Sequence, residues 1–392
     1  MNAPMSPPKS VPAKASRPSA SREDAVRVMI VDDSLTVRTI FKRMVESDGA
    51  MRVTDTASSA ERAIVQLEKT PADVILLDLE MPGMGGLEAL PAILERAQGG
   101  QVLVVSSLTQ DGAEHTISAL SMGAADTMLK PRPGGFDESY RAQLLGKIRA
   151  LGEAVSREDA ADETIPNGAS TPKSGAKATH AAGPRAPRAK LVFDSPPEVI
   201  AIGASTGGIH ALNIMLRGLT PNFDRPIVIT QHLPPSFIPV FARQVEMACA
   251  RRAVIAEEGT EIRPGEVAIA TGHGHMVVRR RGDRLVARAS SEPARSGCLP
   301  SVDPMFSSLA QACEGRVLGV VLSGMGRDGL EGARALVEAG GTIIAQDAET
   351  SAVWGMPGAV AKAGLVSLVA PPQELAACVL EAGACVANSG ER

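Results

Sequence analysis

Two groups of residues in this 392-residue sequence could do chemistry. The first is acidic. Asp32 and Asp33 follow the apolar run VRVMIV, and Asp78 ends DVILLD. Ser106 and Ser107 end QVLVVSS, and Lys130 closes AADTMLK before Pro131. Carboxylates brought together repel one another, so a hard divalent cation with oxygen ligands, Mg2+, would hold Asp32, Asp33 and Asp78. A carboxylate beside that cation can attack a phosphoryl donor, while a lysine and a hydroxyl bind the incoming oxygens. The second group starts at VIAIGASTGGIHALNIML, which sets Ser205 in G-x-S-x-G spacing on a sharp strand-to-helix turn. There a hydroxyl is exposed, and helix-start N–H groups can stabilise an oxyanion. Glycine-rich turns of this kind also cradle phosphates. The full G-x-G-x-x-G and the Walker lysine are missing, and the turn by itself leaves both readings open.

A serine nucleophile needs a base, and the base needs an orienting acid. His232 ends PIVITQH, and Asp328 lies in SGMGRDG directly after VLGVVL. Both therefore leave a strand at its carboxyl end, as Ser205 does, and the three can converge at one edge of one sheet. The remaining histidines are poorer candidates. His115 lies in the first half, His180 in a Pro-rich stretch and His210 inside a helical pattern. His273 and His275 form an H-G-H pair without a third ligand of suitable spacing, and read as surface or substrate-loop residues. Cys249, Cys298, Cys313, Cys378 and Cys385 form no C-x-x-C pair and read as free thiols packed as small hydrophobes.

The elements that must position these groups follow from periodicity. Five apolar runs alternate with amphipathic helices, three of them over 35–46, 58–69 and 86–98, which implies a parallel sheet covered on both faces. The same grammar returns after residue 197 with VIAIG, PIVITQH, VAIA, RVLGVVLSG and GTIIAQD. Residues 1–24 and 153–196 are rich in Pro, Gly, Ala and Ser and cannot offset their ordering entropy by burial. The chain thus divides into a tail (1–24), a first α/β unit (25–152), a linker (153–196), a second α/β unit (197–386) and a short tail (387–392).

Composition excludes several functions. With 44% hydrophobic and 21% charged residues the balance is that of a soluble protein, and no apolar run approaches the ~20 residues that span a bilayer. A net charge of −4 and 2% aromatics offer neither a positive field nor stacking surfaces, so no nucleic-acid partner is expected. The basic N-terminus lacks the apolar segment of a secretory signal, and a cytoplasmic location with no membrane insertion follows.

The Asp-Asp pair, DLEMPGMGG, Ser106-Ser107 and LKP resemble the response-regulator receiver family over about residues 26 to 150. The resemblance implies a flavodoxin-like doubly wound sheet with Asp78 phosphorylated by a histidine kinase of the chemotaxis type. It implies Mg2+ held by Asp32, Asp33 and Asp78, Ser106 as switch hydroxyl and Lys130 as phosphate partner. Where the family often carries an aromatic three residues before that lysine, this chain has Thr127. GASTGG, QHLPPSF, PSVDPMF, SGMGRDG and WGMPGA resemble the catalytic domain of the chemotaxis protein-glutamate methylesterases over about residues 197 to 385. That resemblance implies Ser205 as nucleophile, His232 as general base and acid, Asp328 as orienting carboxylate, and the N–H groups of Thr206 and Met325 as oxyanion hole. It implies hydrolysis of glutamate γ-methyl esters on methyl-accepting chemoreceptors, with deamidation of glutamine, by a monomer needing no cofactor in its catalytic domain. The unphosphorylated receiver is expected to cover the active-site edge. Three rivals stand against this reading. One is an adapter with a degenerate site, which the intact Ser, His and Asp oppose. Another is a transcription factor, which lacks a helix-turn-helix here. The third is a dinucleotide-binding reductase, which lacks its fingerprint.

Overall fold

The computed structural model describes residues 25–107, 109–131, 135–162, 196–220 and 222–384. In the first unit the apolar runs become β1 (Val26–Val31), β2 (Met51–Ala57), β3 (Val74–Asp78), β4 (Gln101–Ser106) and β5 (Asp126–Leu129). Between them lie α1 (Leu35–Glu46), α2 (Ala60–Leu67), α3 (Gly86–Ala97) and α4 (Gln110–Met122), and α5 (Glu138–Asp162) follows. The strands pair in parallel in the order β2-β1-β3-β4-β5, the doubly wound flavodoxin-like arrangement. All five residues of β3 are buried, as expected of a central strand covered by helices on both faces.

Helix starts are set by hydroxyl caps. Ser34, Ser59 and Thr109 each accept from an amide in the first turn that follows. The cap at Ser59 places residues 58 and 59 outside α2, which is shorter than the amphipathic pattern suggests. The expected boundary at Gly152 needs a larger correction, because α5 runs on to Asp162. The stretch EAVSREDAAD is rich in Ala, Glu and Arg and holds no Gly or Pro, so nothing in it ends a helix.

The second unit holds seven parallel strands in the order β15-β14-β13-β6-β7-β10-β8. They are β6 (Val199–Ala204), β7 (Ile227–Gln231), β8 (Ala253–Ala256), β10 (Val267–Ala270), β13 (Val317–Val321), β14 (Thr342–Gln346) and β15 (Leu368–Ala370). The helices are α6 (Gly208–Arg217), α7 (Ile238–Cys249), α8 (Val302–Ala312), α9 (Leu330–Glu338), α10 (Met356–Lys362) and α11 (Pro372–Ala384). The two edge strands, β8 and β15, lie outside the five apolar runs read from the sequence. A separate antiparallel sheet is formed by β9 (Glu261–Ile262), β11 (His275–Arg281) and β12 (Arg284–Ser290), in the order β11-β12-β9. HMVVRRRGDRLVARAS alternates at period two around a two-residue turn in which Gly282 takes φ +65°. Met276, Val278, Leu285 and Ala287 face the core; Arg279, Arg281, Arg284 and Arg288 face outward, while Arg280, on the inner face beyond Val278, reaches Ala312 O and Glu198 at the core's rim.

Candidate functional site

The carboxyl ends of β6, β7 and β13 bring three side chains together. Ser205 follows β6 on the turn into α6, where Gly207 takes φ +74° with no room for a Cβ between Ala352 and Ser323. His232 follows β7, and its backbone N–H donates to Ala204 O at 3.1 Å. Asp328 sits in the turn between β13 and α9. The His232 Nδ1 lies 3.0 Å from Ser205 Oγ, and its Nε2 lies 2.7 Å from Asp328 Oδ2. Ser205 is half-buried and Asp328 is 1% exposed, so the acid is dry while the hydroxyl remains reachable.

Asp328 is held from three sides. Ser301 Oγ donates to its Oδ1 at 2.6 Å, and the Val302 N–H donates to Oδ2 at 2.7 Å. Burial favours the neutral carboxyl, but His232 and these donors outweigh it and hold Asp328 well below the usual carboxylate range. Burial likewise presses the His232 pKa down, yet Asp328 and the adjacent Cys298 outweigh it and raise it to about 9. Asp328 thus keeps a proton on Nε2, and a pKa that high also keeps one on Nδ1 at neutral pH, so Nδ1 accepts from Ser205 in the fraction of molecules that has lost it.

The turn also presents unused donors. Among the described residues neither the Thr206 nor the Met325 backbone N–H has a hydrogen-bond partner. Gly324 brings the Met325 strand end against the serine, since a Cβ there would lie 2.8 Å from Ser205 Cβ. Ser323 Oγ donates to Thr206 O at 2.7 Å and accepts from the Val353 N–H at 3.1 Å, which fixes the turn's orientation.

Three residues near this site escaped the sequence reading. Ser301 is one. His275 is the second: it is 2% exposed rather than on the surface, and its Nδ1 accepts the Ser301 N–H at 2.9 Å. Cys298 is the third. It is half-exposed, beside His232 and Asp328, rather than packed as a hydrophobe like Cys249, Cys313 and Cys378. Segment 291–301 has no strand or helix period to place Cys298 and Ser301, whereas His275 opens β11, where the H-G-H spacing read as a loop. His273 is exposed, as expected, and His210 lies in α6.

The acidic group converges on the other sheet. Asp32, Asp33 and Asp78 have carboxylate oxygens within 4.8 Å of one another. Lys130 Nζ reaches Asp78 Oδ2 at 2.6 Å and Asp32 Oδ2 at 3.0 Å. Burial is the main cause that raises the Asp78 pKa to about 6, against the pull of Lys130 and the Glu80 N–H. Three carboxylates against one ammonium leave an excess of negative charge, and an all-oxygen donor set suits a hard cation such as Mg2+. Gly86 lets the loop after Asp78 fold tightly, since a Cβ there would lie 2.1 Å from Asp78 O. Ser106 is fully buried, its Oγ 2.7 Å from Thr116 Oγ1 on α4, whereas Ser107 bonds to Glu80.

The two units meet beside Ser205. Thr206 Oγ1 donates to Asp126 Oδ2 at 2.6 Å, and the Gly207 N–H donates to Ala125 O at 2.5 Å. His210 Nδ1 lies 3.0 Å from Ser121 O, and Arg243 pairs with Glu114 at 2.7 Å. An apolar cluster runs through this contact, joining Ile117 and Leu120 of α4 to Ile209, Phe237 and Ile238.

Comparison with known proteins agrees with both halves. A family model described as CheB methylesterase matches residues 200–379, and one described as response regulator receiver domain matches residues 28–135. A protein-glutamate methylesterase/protein-glutamine glutaminase 1 of Paramagnetospirillum magneticum is 41% identical over 373 residues, covering 92% of this chain and 97% of that protein. A protein-glutamate methylesterase/protein-glutamine glutaminase 2 of Caulobacter vibrioides is 42% identical over 354 residues, covering 89% and 96%. The solved Thermotoga maritima CheB methylesterase catalytic domain is 32% identical, covering 47% of this chain and 98% of that one, with a TM-score of 0.46. With such identity over nearly its whole length, the chain belongs to the receiver-linked family of protein-glutamate methylesterases/protein-glutamine glutaminases.

Proposed function

We propose that the chain is a phosphorylation-controlled serine esterase that hydrolyses glutamate γ-methyl esters on the cytoplasmic helices of chemoreceptors. The observation that carries this reading is the unbroken relay Ser205 Oγ, His232 Nδ1, His232 Nε2 and Asp328 Oδ2, with links of 3.0 and 2.7 Å. Ser205 attacks the ester carbonyl as His232 takes its proton. The developing oxyanion accepts from the N–H groups of Thr206 and Met325. His232 then returns the proton to the leaving methoxide, methanol departs, and an acyl-enzyme remains. Water, deprotonated by His232, releases the glutamate carboxylate and the serine. The same steps on a γ-carboxamide release ammonia, which is the glutaminase activity. This chemistry requires no cofactor in the catalytic domain.

A cationic surface beside the relay supports an anionic substrate. A cavity of about 430 Å³ is lined by Arg327, Arg334, Lys362 and Trp354. None of its three cations pairs with a carboxylate among the described residues, while Lys362 lies over the Trp354 ring. A helix carrying several glutamates would find compensating charge there.

In the receiver we assign Asp78 as phosphoacceptor, with a chemotaxis-type histidine kinase as donor. Mg2+ held by Asp32, Asp33 and Asp78 would neutralise the phosphoryl oxygens during transfer. Lys130 and the Ser106 hydroxyl would bind those oxygens afterwards. The contact of Asp126 and Ala125 with Thr206 and Gly207 supports inhibition by the unphosphorylated receiver. The relay and the acidic cluster are each complete within one chain, so action as a monomer needs no residue from a second copy. No described helix is long and apolar enough to cross a membrane, in keeping with a cytoplasmic enzyme. The test is methanol release from methylated receptor membranes, with and without a phosphodonor. Turnover that rises with phosphodonor is expected, and its absence under both conditions would remove the assignment.

A further inference from the structure

The segment between β12 and α8 brings a thiol to the relay. Cys298 Sγ, a His232 ring nitrogen and an Asp328 carboxylate oxygen all lie within 4.8 Å of one another. These donors come from three separate segments: the end of β7, the loop before α8 and the turn before α9. Thiolate, imidazole and carboxylate together form the donor set that borderline-soft Zn2+ selects, unlike the all-oxygen cluster of the receiver. Tetrahedral zinc at its usual bond lengths sets ligand atoms roughly 3.2–3.8 Å apart. Small side-chain rotations therefore suffice, opening the His232–Asp328 contact and closing the approach of Cys298.

The surroundings resemble a supported ligand shell. Ser301 Oγ and the Val302 N–H orient the Asp328 carboxylate, and His275 in turn fixes the Ser301 backbone. The Cys298 loop is tied back by its N–H to Ser296 Oγ at 3.3 Å, and Ser296 Oγ donates to Ser301 Oγ at 3.2 Å. Cys298 and Asp328 both line a cavity of about 430 Å³, which gives an ion an entry path and leaves room for water as fourth ligand.

We propose that Cys298, His232 and Asp328 form a Zn2+ site whose occupation switches the esterase off. Zinc on His232 Nε2, the nitrogen that faces Asp328, leaves the ring's one proton on Nδ1, so Nδ1 no longer offers Ser205 a lone pair, and the ion draws Asp328 away from its orienting bond. The inhibition rests on the triad proposed above, whereas the binding does not.

The test uses the full-length chain with phosphodonor, excess Mg2+ and a phosphine reductant. Free Zn2+ is set by a zinc buffer, and methanol release is measured beside Co2+ absorption. Wild type should lose turnover at micromolar Zn2+, recover it with a zinc-selective chelator, and show one equivalent of thiolate-to-Co2+ charge transfer. Cys298→Ser, with inhibition scored against its own zinc-free rate because Cys298 also bears on the His232 pKa, should lose the charge-transfer band and need at least about tenfold more Zn2+ for the same fractional inhibition. Equal inhibition of both proteins without a band would overturn the site. So would loss of turnover that the reductant reverses and the chelator does not, which marks thiol oxidation. If the Co2+ band appeared in a protein with no zinc-free turnover, the metal site would stand and the esterase reading would fall.

Discussion

Replacing Asp126 by alanine should loosen the receiver from the catalytic domain and raise turnover in the absence of phosphate. Asp126 Oδ2 accepts from Thr206 Oγ1 at 2.6 Å and from Lys147 Nζ at 2.5 Å, while Oδ1 accepts the Thr127 N–H at 2.7 Å. The Lys147 and Thr127 contacts lie within the receiver. They are lost equally in the docked and undocked states, so they cancel from the docking equilibrium. The Thr206 contact alone crosses the interface from this side chain. The Asp126 side chain is 14% exposed, so the bond is shielded from water, and a hydrogen bond to such a charged acceptor contributes about 1.5–3 kcal/mol. Thr206 regains water on undocking, which favours the lower end. About 1.5 kcal/mol is roughly a tenfold rise in the ratio of undocked to docked molecules. Methanol release by unphosphorylated Asp126→Ala should therefore approach ten times the wild-type rate, with the phosphorylated rate as its ceiling. Phosphodonor labelling of Asp78 checks that the receiver remains folded. Normal labelling with unchanged basal turnover would show that this docked arrangement does not limit the enzyme.

Other expectations follow from the same geometry. Ser205→Ala, His232→Ala and Asp328→Ala should each abolish methanol release, and the doubles should be no worse than the worst single, because the three act as a unit. Ser205→Ala should leave thermal unfolding near wild type, whereas Asp328→Ala strands Ser301 Oγ and the Val302 N–H and should lower the midpoint. Asp78→Asn should remove an acid-stable, base-labile label that otherwise depends on divalent cation, and a stable phosphoserine at Ser106 or Ser107 would contradict this. Ser323→Ala removes the bond to Thr206 O and strands the buried Val353 N–H, so kcat should fall about tenfold and the midpoint of unfolding should drop, with KM little changed. Reversing charge with Arg327→Glu and Arg334→Glu should raise KM for methylated receptor and weaken its salt dependence, and an unchanged KM would place substrate elsewhere.

Much of the site was legible because strand ends are legible. Asp78, Ser205, His232 and Asp328 each close or follow an apolar run, and parallel sheets gather such ends at one edge. Ser301 and Cys298 were not legible, because segment 291–301 has no period that fixes where its side chains point, and His275 was read with His273 as a surface or substrate-loop residue although it opens β11. The antiparallel hairpin over 275–290 was readable by its alternation, yet the arginines on its outer face disguised a strand with one buried side. The docking surface was beyond reach for another reason. Ala125, Asp126, Ser121 and Glu114 are unremarkable surface residues of a receiver until the partner surface is set against them.

The same distinction explains how the two sites can communicate. Docking engages the start of β5, while Lys130 and the acceptor lie beyond its far end, so a local charge change at Asp78 needs an element that touches both. Helix α4 does. Midway along it Thr116 Oγ1 bonds to Ser106 Oγ, while Glu114 pairs with Arg243 two residues earlier and Ser121 O meets His210 near the helix end. The face of α4 also packs on α6, α7 and the turn at Pro235–Phe237. A phosphoryl group on Asp78, as proposed, would accept from the Ser106 hydroxyl, and any displacement of Ser106 Oγ toward it would take from Thr116 Oγ1 one of its two acceptors, the other being Gly112 O at 2.6 Å. Thr127 sharpens the point. It is 8% exposed with its hydroxyl unpartnered, and a side chain of that size cannot act as the swinging aromatic common in the family. The Ser106–Thr116 bond is left as the direct link from phosphate to docking face, and a shift of a few kcal/mol in α4 is enough to change which state predominates.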